Sequence, residues 1–167
     1  MPSRDRIRHK GAFCTMIVCK AMDRDSAVYA AEIEALCFSS PWPLESFLGA
    51  LNNSHALYLI AFEGDKAVGY IGVYDLIDEI SIINIATHPG HRNKGAARLL
   101  MSKIHEFAAA RGVDAVTLEV RESNIPARTL YESFAYKENG RIKNYYSDPK
   151  EDAVLYKYEL QGMDRKQ

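Results

Sequence analysis

The sequence predicts one domain of the α/β or α+β class, in which helices cover both faces of a central sheet. Its 167 residues suit a single compact domain. Strand and helix patterns follow one another in the order β-α-α-β-β-β-α-β-α-β-β, without an internal repeat or a low-complexity tract. Short turns separate the three consecutive strands, which indicates an antiparallel meander. We therefore expect a mixed, mostly antiparallel sheet of about seven strands with about four helices.

A short strand and two helices begin the domain. The strand is predicted over 16–20 and the first helix over 27–38, with Asp23 or Asp25 as its N-cap. The apolar face of this helix is predicted to consist of Val28, Ala31, Ile33 and Leu36. A break over 39–43, which contains two prolines, precedes the second helix. Its apolar residues recur at helical spacing: Leu44, Phe47, Leu48 and Leu51.

Three strands, a long helix and a final mixed region complete the domain. The strands are predicted over 55–63, 66–76 and 79–87. The long helix is predicted over 94–111 and ends at Gly112, which is expected to adopt a left-handed conformation. The elements predicted after it are a strand over 113–120, a helix over 124–134 and two strands over 136–145 and 152–160.

Composition and charge exclude several classes of protein. Lys and Arg total 21 and Asp and Glu total 22, so the net charge of −1 argues against a surface built to hold nucleic acid. Apolar residues make up 47% and charged residues 26%, which is typical of a folded globular chain. No stretch approaches the roughly 20 consecutive apolar residues of a membrane helix, and the first residues do not resemble a signal peptide.

The first 15 residues differ from the rest of the chain. Basic residues alternate with polar ones there: Arg4, Arg6, Arg8 and Lys10. A solvated extension is favoured over a nucleic-acid-binding arm, because the whole chain has no basic excess. We therefore expect an extension over 1–15, the folded domain over 16–161 and a short tail over 162–167.

The cysteines are few and all lie in the first quarter of the chain. A disulfide framework is not expected from Cys14, Cys19 and Cys37, so a cytoplasmic location is expected. Cys14 and Cys19 have no second pair at zinc spacing, so no metal site is expected. Cys37 is predicted to be a core residue of the first helix.

The loop before the long helix has the composition of an anion-binding site. Small residues at Gly95, Ala96 and Ala97 let a ligand approach the backbone. The unpaired N–H groups of the first helical turn then face that ligand, with the positive end of the helix dipole behind them. Three basic residues add positive charge at the same end of the helix, which favours a phosphate: Arg92, Lys94 and Arg98.

Known phosphate loops narrow this interpretation. Gly90 and Gly95 have the spacing of a Walker A motif. Ala96 and Ala97 stand where that motif requires Lys and Ser or Thr, which excludes a P-loop NTPase. No GxGxxG follows the first strand, which removes the usual dinucleotide site. In isolation the segment fits an ordinary tight loop equally well.

Two polar residues in apolar surroundings are candidate catalytic groups. Glu119 lies within an apolar strand, where a carboxylate either faces water or is held in a cleft with a raised pKa. The water-facing alternative is the commoner one for a single carboxylate. Tyr131 lies on the following helix beside Leu130 and Phe134. In isolation it fits a core residue whose hydroxyl is hydrogen-bonded.

Several segments, in consistent order, carry a resemblance to a known family: Asn84-Ile-Ala-Thr-His-Pro89, Arg92-Asn-Lys-Gly-Ala-Ala97, Leu118-Glu-Val-Arg-Glu-Ser-Asn124, Ala127, Leu130-Tyr-Glu132 and Asn144-Tyr-Tyr146, with Pro41-Trp-Pro43 and Phe47 in further agreement. They resemble the GNAT superfamily of N-acetyltransferases and, within it, the RimI-type enzymes that acetylate protein N-termini. The predicted order of strands and helices is also that of the GNAT fold. Ala135 stands where the family often has glycine. This difference affects the expected shape of one loop and not the assignment to the superfamily.

The resemblance implies that acetyl-CoA is the co-substrate and that no metal takes part. The backbone of Ile85, Ala86 and Thr87 would pair with the pantetheine arm of acetyl-CoA, beside a splayed pair of strands. Backbone amides from Asn93 to Arg98 would hold the pyrophosphate. The further cofactor-binding residues implied are Arg92, Asn93, Lys94, Gly95, Ala96, Ala97, Arg98 and Asn124.

The resemblance also implies roles for the candidate catalytic groups. Glu119 matches the general base and Tyr131 the general acid of the RimI-type enzymes. Tyr145 and Tyr146, expected in the loop between the last two strands, would lie near the acceptor peptide together with Trp42. No residue is recognisable as an activated nucleophile, so direct attack of the amine in a ternary complex is expected.

The acceptor is left open by the sequence. A protein N-terminus is favoured, either on a ribosomal protein, as for bacterial RimI-type enzymes, or on nascent chains in general, as for archaeal relatives. A Lys side chain or a small amine is the alternative within the class. A non-catalytic CoA-binding or partner-binding module is the alternative outside it, and both candidate catalytic groups argue against that. No membrane partner is expected, a nucleic-acid partner is the weakest alternative, and the oligomeric state is undetermined.

Overall fold

Seven strands form one mixed sheet in the computed structural model, which describes residues 15–160. The predicted extension up to residue 14 and the predicted tail lie outside these residues. The strands are β1 (Ile17–Ala21), β2 (Ala56–Glu63), β3 (Lys66–Asp75), β4 (Glu79–Thr87), β5 (Ala115–Arg121), β6 (Lys137–Ser147) and β7 (Lys150–Glu159). The helices are α1 (Ala27–Cys37), α2 (Leu44–Leu51), α3 (Ala96–Arg111) and α4 (Ile125–Ser133), with a 3-10 turn over Pro89–His91. The predicted element order and fold class are confirmed.

The sheet is split near its middle. Its strand order is β1-β2-β3-β4-β5-β7-β6, and every neighbouring pair is antiparallel except β4 and β5. These two parallel strands pair only from Glu79 with Ala115 to Ile82 with Leu118. Beyond that point they diverge, which leaves a gap between the end of β4 and the end of β5.

A bulge in β4 lies where the gap begins. The pairing of β4 with β3 skips Ile83, which is left as an extra residue. Before the bulge, Ile80 and Ile82 belong to the core on the α3 side of the sheet. After it, Ala86 belongs to the core beneath α1 and α2. A bulge interrupts the alternation of side chains along a strand. Even-numbered residues of β4 therefore face the α3 side before the bulge and the side of α1 and α2 after it.

Each face of the sheet has its own buried core. On one face the apolar side of α3 packs on β3, β4 and β5, and the largest buried helix residues there are Leu100, Met101 and Ile104. On the other face α1 and α2 pack on β2 and β3, and the aromatic residues at the centre are Phe47, Tyr58 and Tyr70.

The predicted apolar face of α1 is wrong for Val28 and Leu36, whereas Ile33 is buried and Ala31 is partly buried against the core. Val28 is 40% exposed and Leu36 is 57% exposed. The buried residues are Ala27, Ala30, Ile33 and Glu34. The helix is apolar on nearly all sides, so its periodicity does not distinguish one face from another. Its N-cap is Ser26, whose backbone N–H donates to Asp23 at 2.8 Å, so the predicted capping aspartate lies three residues before that N-cap.

Replacing Gly72 by Ala is expected to lower the free energy of unfolding by about 1–3 kcal/mol, as overpacking of a core does. A Cβ at Gly72 would overlap the buried ring of Tyr58 and lie 2.6 Å from Oδ1 of Asn84. Urea unfolding measures the change. Gly49→Ala in α2 is the matched control, because a Cβ there meets no atom within 4 Å. Equal stability of Gly72→Ala and the unaltered chain would contradict the prediction.

Candidate active site

Two adjoining cavities occupy the gap between β4 and β5. The helix-side cavity, of about 830 Å³, lies between the end of β4 and the N-termini of α3 and α4. The strand-side cavity, of about 640 Å³, lies between the α1–α2 loop, β5 and the end of β6. The residues that line both cavities are Cys37, Phe38, Ile85, Asn124 and Tyr131. A molecule in one cavity would therefore meet a molecule in the other at these side chains.

The N-terminus of α3 forms one wall of the helix-side cavity. Gly95 is its N-cap and has a φ of 95°, a left-handed conformation that favours glycine. Asn93 also has a positive φ, of 60°. The two residues turn the chain so that the first amides of α3, which have no partner within the helix, face the cavity. This end of the cavity suits a phosphate group.

Most of the predicted cofactor-binding residues line the helix-side cavity. They are Ile85, Ala86, Thr87, Arg92, Asn93, Gly95, Ala96, Ala97, Arg98 and Asn124. Lys94 does not line it, and its Nζ lies 3.4 Å from Oε2 of Glu63. The same Glu63 oxygen is 2.6 Å from Nδ1 of His91, and this hydrogen bond holds the pKa of Glu63 below its usual value. Glu63 thus fastens the loop before α3 to the end of β2.

Two arginines of this region differ in their contacts. Arg98 donates to Oγ of Ser133 at 3.0 Å and lies over the ring of Phe134. Nη2 of Arg92 is 3.8 Å from Sγ of Cys37. Both line the helix-side cavity, so its phosphate-binding end is positively charged.

Tyr131 lies on α4 where the two cavities meet. It is 4% exposed, and its ring packs on the rings of Tyr136 and Tyr156 at centroid distances of 6.0 and 6.1 Å. Burial raises the pKa of Tyr131 above its usual value, so its hydroxyl keeps its proton at neutral pH. Asn124 begins α4 and accepts a hydrogen bond from the N–H of Ala127 at 3.2 Å. This cap fixes the start of the helix that carries Tyr131.

Glu119 lies on β5 and lines the strand-side cavity. Its side chain is exposed within this cavity, and it makes no hydrogen bond or ion pair with another described residue. It occupies the face of β5 opposite to Leu118 and Val120, which are buried in the α3-side core. The sequence left open whether this carboxylate faces water or lies in a cleft. In the structure it does both, because the cleft itself is open to solvent.

Trp42, Tyr145 and Tyr146 all line the strand-side cavity. The expected loop position of the two tyrosines is wrong, because β6 continues through Ser147. The pairing of β6 with β7 is interrupted after Ile142 and resumes at Tyr146. Within this interruption Asn144 has a positive φ of 54°, so the strand is irregular there, and the two rings lie near its end, 5.0 Å apart and nearly perpendicular.

Glu34 was not anticipated as a site residue. It is 4% exposed, lines the strand-side cavity, and accepts hydrogen bonds from the hydroxyl of Tyr70 and from the N–H of Trp42. Burial raises the pKa of Glu34 above its usual value. A signal was available, since Glu34 is a carboxylate in a helix that is apolar on nearly all sides. The position of Trp42 depends on this buried group.

Cys37 is not a simple core residue. It lines both cavities, and its Sγ donates to the carbonyl oxygen of Thr87 at 3.4 Å. Burial raises the pKa of its thiol. The thiol is therefore protonated at neutral pH, and a protonated thiol is a poor nucleophile.

Residues 15–160 contain neither a cluster of metal-ligating side chains nor a helix that could span a membrane. No group of three or more His, Cys, Asp or Glu side chains there could hold a metal ion. Among these residues, none of the helices combines the length and the apolar character needed to cross a membrane.

A sheet split at a parallel pair, with a bulged strand and a helix N-terminus at the gap, defines a member of the N-acetyltransferase class. The family model described as Acetyltransferase (GNAT) family matches residues 27–136. The chain belongs to the GNAT acetyltransferase family. The predicted family and enzyme class are confirmed.

Two relatives of the chain are named as ribosomal-protein-alanine N-acetyltransferases, the RimI type. A Bacillus subtilis protein, provisionally named [ribosomal protein bS18]-alanine N-acetyltransferase, is 38% identical over 125 residues, which cover 74% of this chain and 83% of that one. The Escherichia coli [ribosomal protein bS18]-alanine N-acetyltransferase is 30% identical over 128 residues, which cover 75% of this chain and 86% of that one. The resemblance to RimI-type enzymes is thereby confirmed.

Solved structures share the fold. The crystal structure of the Escherichia coli ribosomal-protein-S18-alanine N-acetyltransferase has a TM-score of 0.81 and 27% identity, and the match covers 89% of this chain and 98% of that one. Arabidopsis thaliana NAA60 in complex with acetyl-CoA has a TM-score of 0.79 and 17% identity, with 88% and 100% covered. The second likeness concerns the fold alone.

Proposed function

We propose that the protein transfers the acetyl group of acetyl-CoA to the α-amino group of a protein N-terminus, in the cytoplasm. The observation that carries the proposal is that Tyr131 lines both cavities, so that a donor and an acceptor would meet at its hydroxyl. The activity named for the relatives makes the N-terminus of a ribosomal protein the first acceptor to test. Nascent chains in general are the second.

The helix-side cavity suits acetyl-CoA. Beyond Ile82 the β5 side of β4 has no partner strand, so the backbone of Ile85, Ala86 and Thr87 can pair with the amide groups of the pantetheine arm. The first amides of α3, after the left-handed Gly95, can hold the pyrophosphate. Lys94 does not line this cavity and Glu63 engages its side chain, so its charge is not expected to contribute to binding.

Glu119 and Tyr131 supply the proton transfers. The α-amino group has a pKa of about 8, against about 10.4 for Lys, so a chain terminus is easier to deprotonate near neutral pH. Glu119 accepts that proton directly or through one water molecule. The amine nitrogen then attacks the thioester carbon, and the C–S bond breaks as Tyr131 donates its proton to the sulfur of CoA. The nitrogen releases its second proton to solvent as the amide forms, and Tyr131 regains a proton from solvent.

Direct attack is favoured over an acetylated enzyme. Among the described residues that line both cavities, Cys37 is the one with a thiol, which is a common catalytic nucleophile. Because burial raises the pKa of its thiol, it is a weak nucleophile at neutral pH. The chemistry is therefore assigned to a ternary complex.

A peptide panel tests the proposal. Short peptides that differ in their first residues are incubated with acetyl-CoA and the protein, each with a free and with a blocked α-amine, and thiol release is measured. We expect release only with free α-amines. Release with blocked peptides that contain Lys would assign the enzyme to side-chain acetylation. Tight acetyl-CoA binding without any transfer would favour a CoA-binding module.

Replacing Glu63 by Gln is expected to raise the KM for acetyl-CoA about three- to tenfold, because it releases the loop before α3 and adds an ordering cost to binding. The substitution weakens the ion pairs of Glu63 with His91 and Lys94. Steady-state kinetics at saturating peptide measure it. Glu106→Gln is the control, since Glu106 pairs with Lys103 on the exposed surface of α3. An unchanged KM for acetyl-CoA in Glu63→Gln would contradict the prediction.

A further inference from the structure

Arg121, the last residue of β5, makes an unusual number of contacts with the turn between β6 and β7. Its Nη1 donates to the carbonyl oxygen of Pro149 and its Nη2 to that of Asp148, both at 2.9 Å. Nη1 also lies 3.2 Å from Oε2 of Glu151. The guanidinium carbon lies 4.1 Å from the centre of the Tyr146 ring. One side chain thus holds both the turn and the aromatic ring beside it.

The turn held by Arg121 is a wall of the strand-side cavity. Asp148 and Tyr146 line this cavity, as does Arg121 itself. The carbonyl oxygen of Asp148 also accepts a hydrogen bond from Oγ of Ser39 at 3.0 Å. Ser39 belongs to the α1–α2 loop, which forms the opposite wall. The two walls therefore meet at a carbonyl group that Arg121 fixes.

The positive charge of Arg121 is already engaged. Glu151 lies against it, and Oε1 of the same carboxylate accepts a hydrogen bond from the N–H of Ser123 at 2.5 Å. A compensated cation that is bonded on several sides is poorly suited to attract an anionic ligand. It is well suited to fix the position of its neighbours.

We propose that Arg121 is a positioning residue for the acceptor, which sets the place of Tyr146 and of the β6–β7 turn in the strand-side cavity. The inference rests on the proposed function, since it assigns this cavity to the acceptor peptide. Arg121 acts through Tyr146 and the turn, and it takes no part in the proton transfers.

The guanidinium group is needed for its shape. A planar fork can donate to two successive carbonyl oxygens while one of its faces stacks on an aromatic ring. A lysine ammonium keeps the charge and the pairing with Glu151, but it cannot make this combination of contacts. Arg121→Lys therefore separates geometry from charge.

Steady-state kinetics of Arg121→Lys test the proposal. We expect the KM for a peptide with a free α-amine to rise about tenfold, while kcat and the KM for acetyl-CoA change by less than about twofold. The matched control is Arg141→Lys. Arg141 lies on β6 and pairs with Glu122 and Glu138, away from the strand-side cavity. We expect its kinetic constants to match those of the unaltered protein.

A second measurement does not depend on turnover. Trp42 is the one tryptophan of the chain and lines the strand-side cavity, so its fluorescence follows peptide binding in the presence of CoA. We expect the peptide Kd of Arg121→Ala to be raised and then lowered again by millimolar guanidinium, which can occupy the vacated place. The same salt should leave the peptide Kd of the unaltered protein unchanged.

The outcomes separate the two proposals. Transfer by the unaltered protein, together with an unchanged peptide KM and Kd in both Arg121 variants, would overturn the role of Arg121 alone. The role of Arg121 would also be overturned if the KM for acetyl-CoA rose as much as the KM for the peptide, or if guanidinium failed to restore peptide binding. Either result would indicate a general structural effect. Absence of transfer by the unaltered protein would overturn the proposed function and this inference with it.

Discussion

Replacing Glu119 by Gln is expected to lower kcat for acetyl transfer to a peptide α-amine by a factor of about 10²–10⁴, the usual worth of a general base. Glutamine has nearly the same shape as glutamate but cannot accept the proton of the attacking amine. Since the side chain of Glu119 is exposed, the substitution should leave folding and acetyl-CoA binding unchanged. Thiol release under saturating conditions measures kcat.

The pH dependence of Glu119→Gln sharpens this test. Without a base, the variant relies on amine that is already neutral, and this fraction grows as the pH approaches the α-amino pKa of about 8. The difference in rate between the two proteins should therefore narrow as the pH rises. Glu122→Gln is the control, because Glu122 pairs with Arg141 and does not line the strand-side cavity. A kcat of Glu119→Gln close to that of the unaltered protein would remove the catalytic assignment.

Replacing Tyr131 by Phe is expected to lower kcat about 10²-fold, at the lower end of the range for a general acid. The lower end is expected because a thiolate of ordinary pKa, about 8.5, is already a fair leaving group. Phenylalanine keeps the ring between Tyr136 and Tyr156, so the fold is retained. The kcat, the Kd of acetyl-CoA and the thermal unfolding temperature are measured together.

A neighbouring tyrosine gives the matched control for Tyr131. Tyr136 packs on Tyr131, but its hydroxyl is 2.9 Å from Nε2 of His105 and it does not line either cavity. Tyr136→Phe should therefore keep kcat near that of the unaltered protein. Equal losses in the two variants would assign the effect to packing of the aromatic cluster and contradict a role in proton transfer.

Much of the fold could be predicted because its signals are local. Glycine ends α3 at Gly112, which has a φ of 68° as expected for a left-handed C-terminal residue. The turn at Gly64 likewise has a φ of 61°. Short loops between β2, β3 and β4 leave little choice but an antiparallel meander. The small residues before α3 predicted the helix N-terminus that now lines the helix-side cavity.

Other features depend on residues far apart in the sequence. The buried face of α1 is decided by Tyr70 and Trp42, which give Glu34 its hydrogen bonds, and no local pattern contains that information. The strand position of Tyr145 and Tyr146 depends on pairing with β7. A bulge at Ile83 has no distinct sequence signature, although it turns the end of β4 toward the gap.

The split of the sheet has a consequence for how its two halves are joined. β4 and β5 share four residue pairs, whereas β3 with β4 and β5 with β7 share seven each. The pairing of β4 with β5 is therefore shorter than the pairing of either strand with its other neighbour. A bound acetyl-CoA would lie directly beyond the end of this short pairing. Its pantetheine arm would continue the ladder along β4 as a strand that the polypeptide does not provide. The substrate would then be a temporary part of the secondary structure, and each turnover would complete and reopen the sheet.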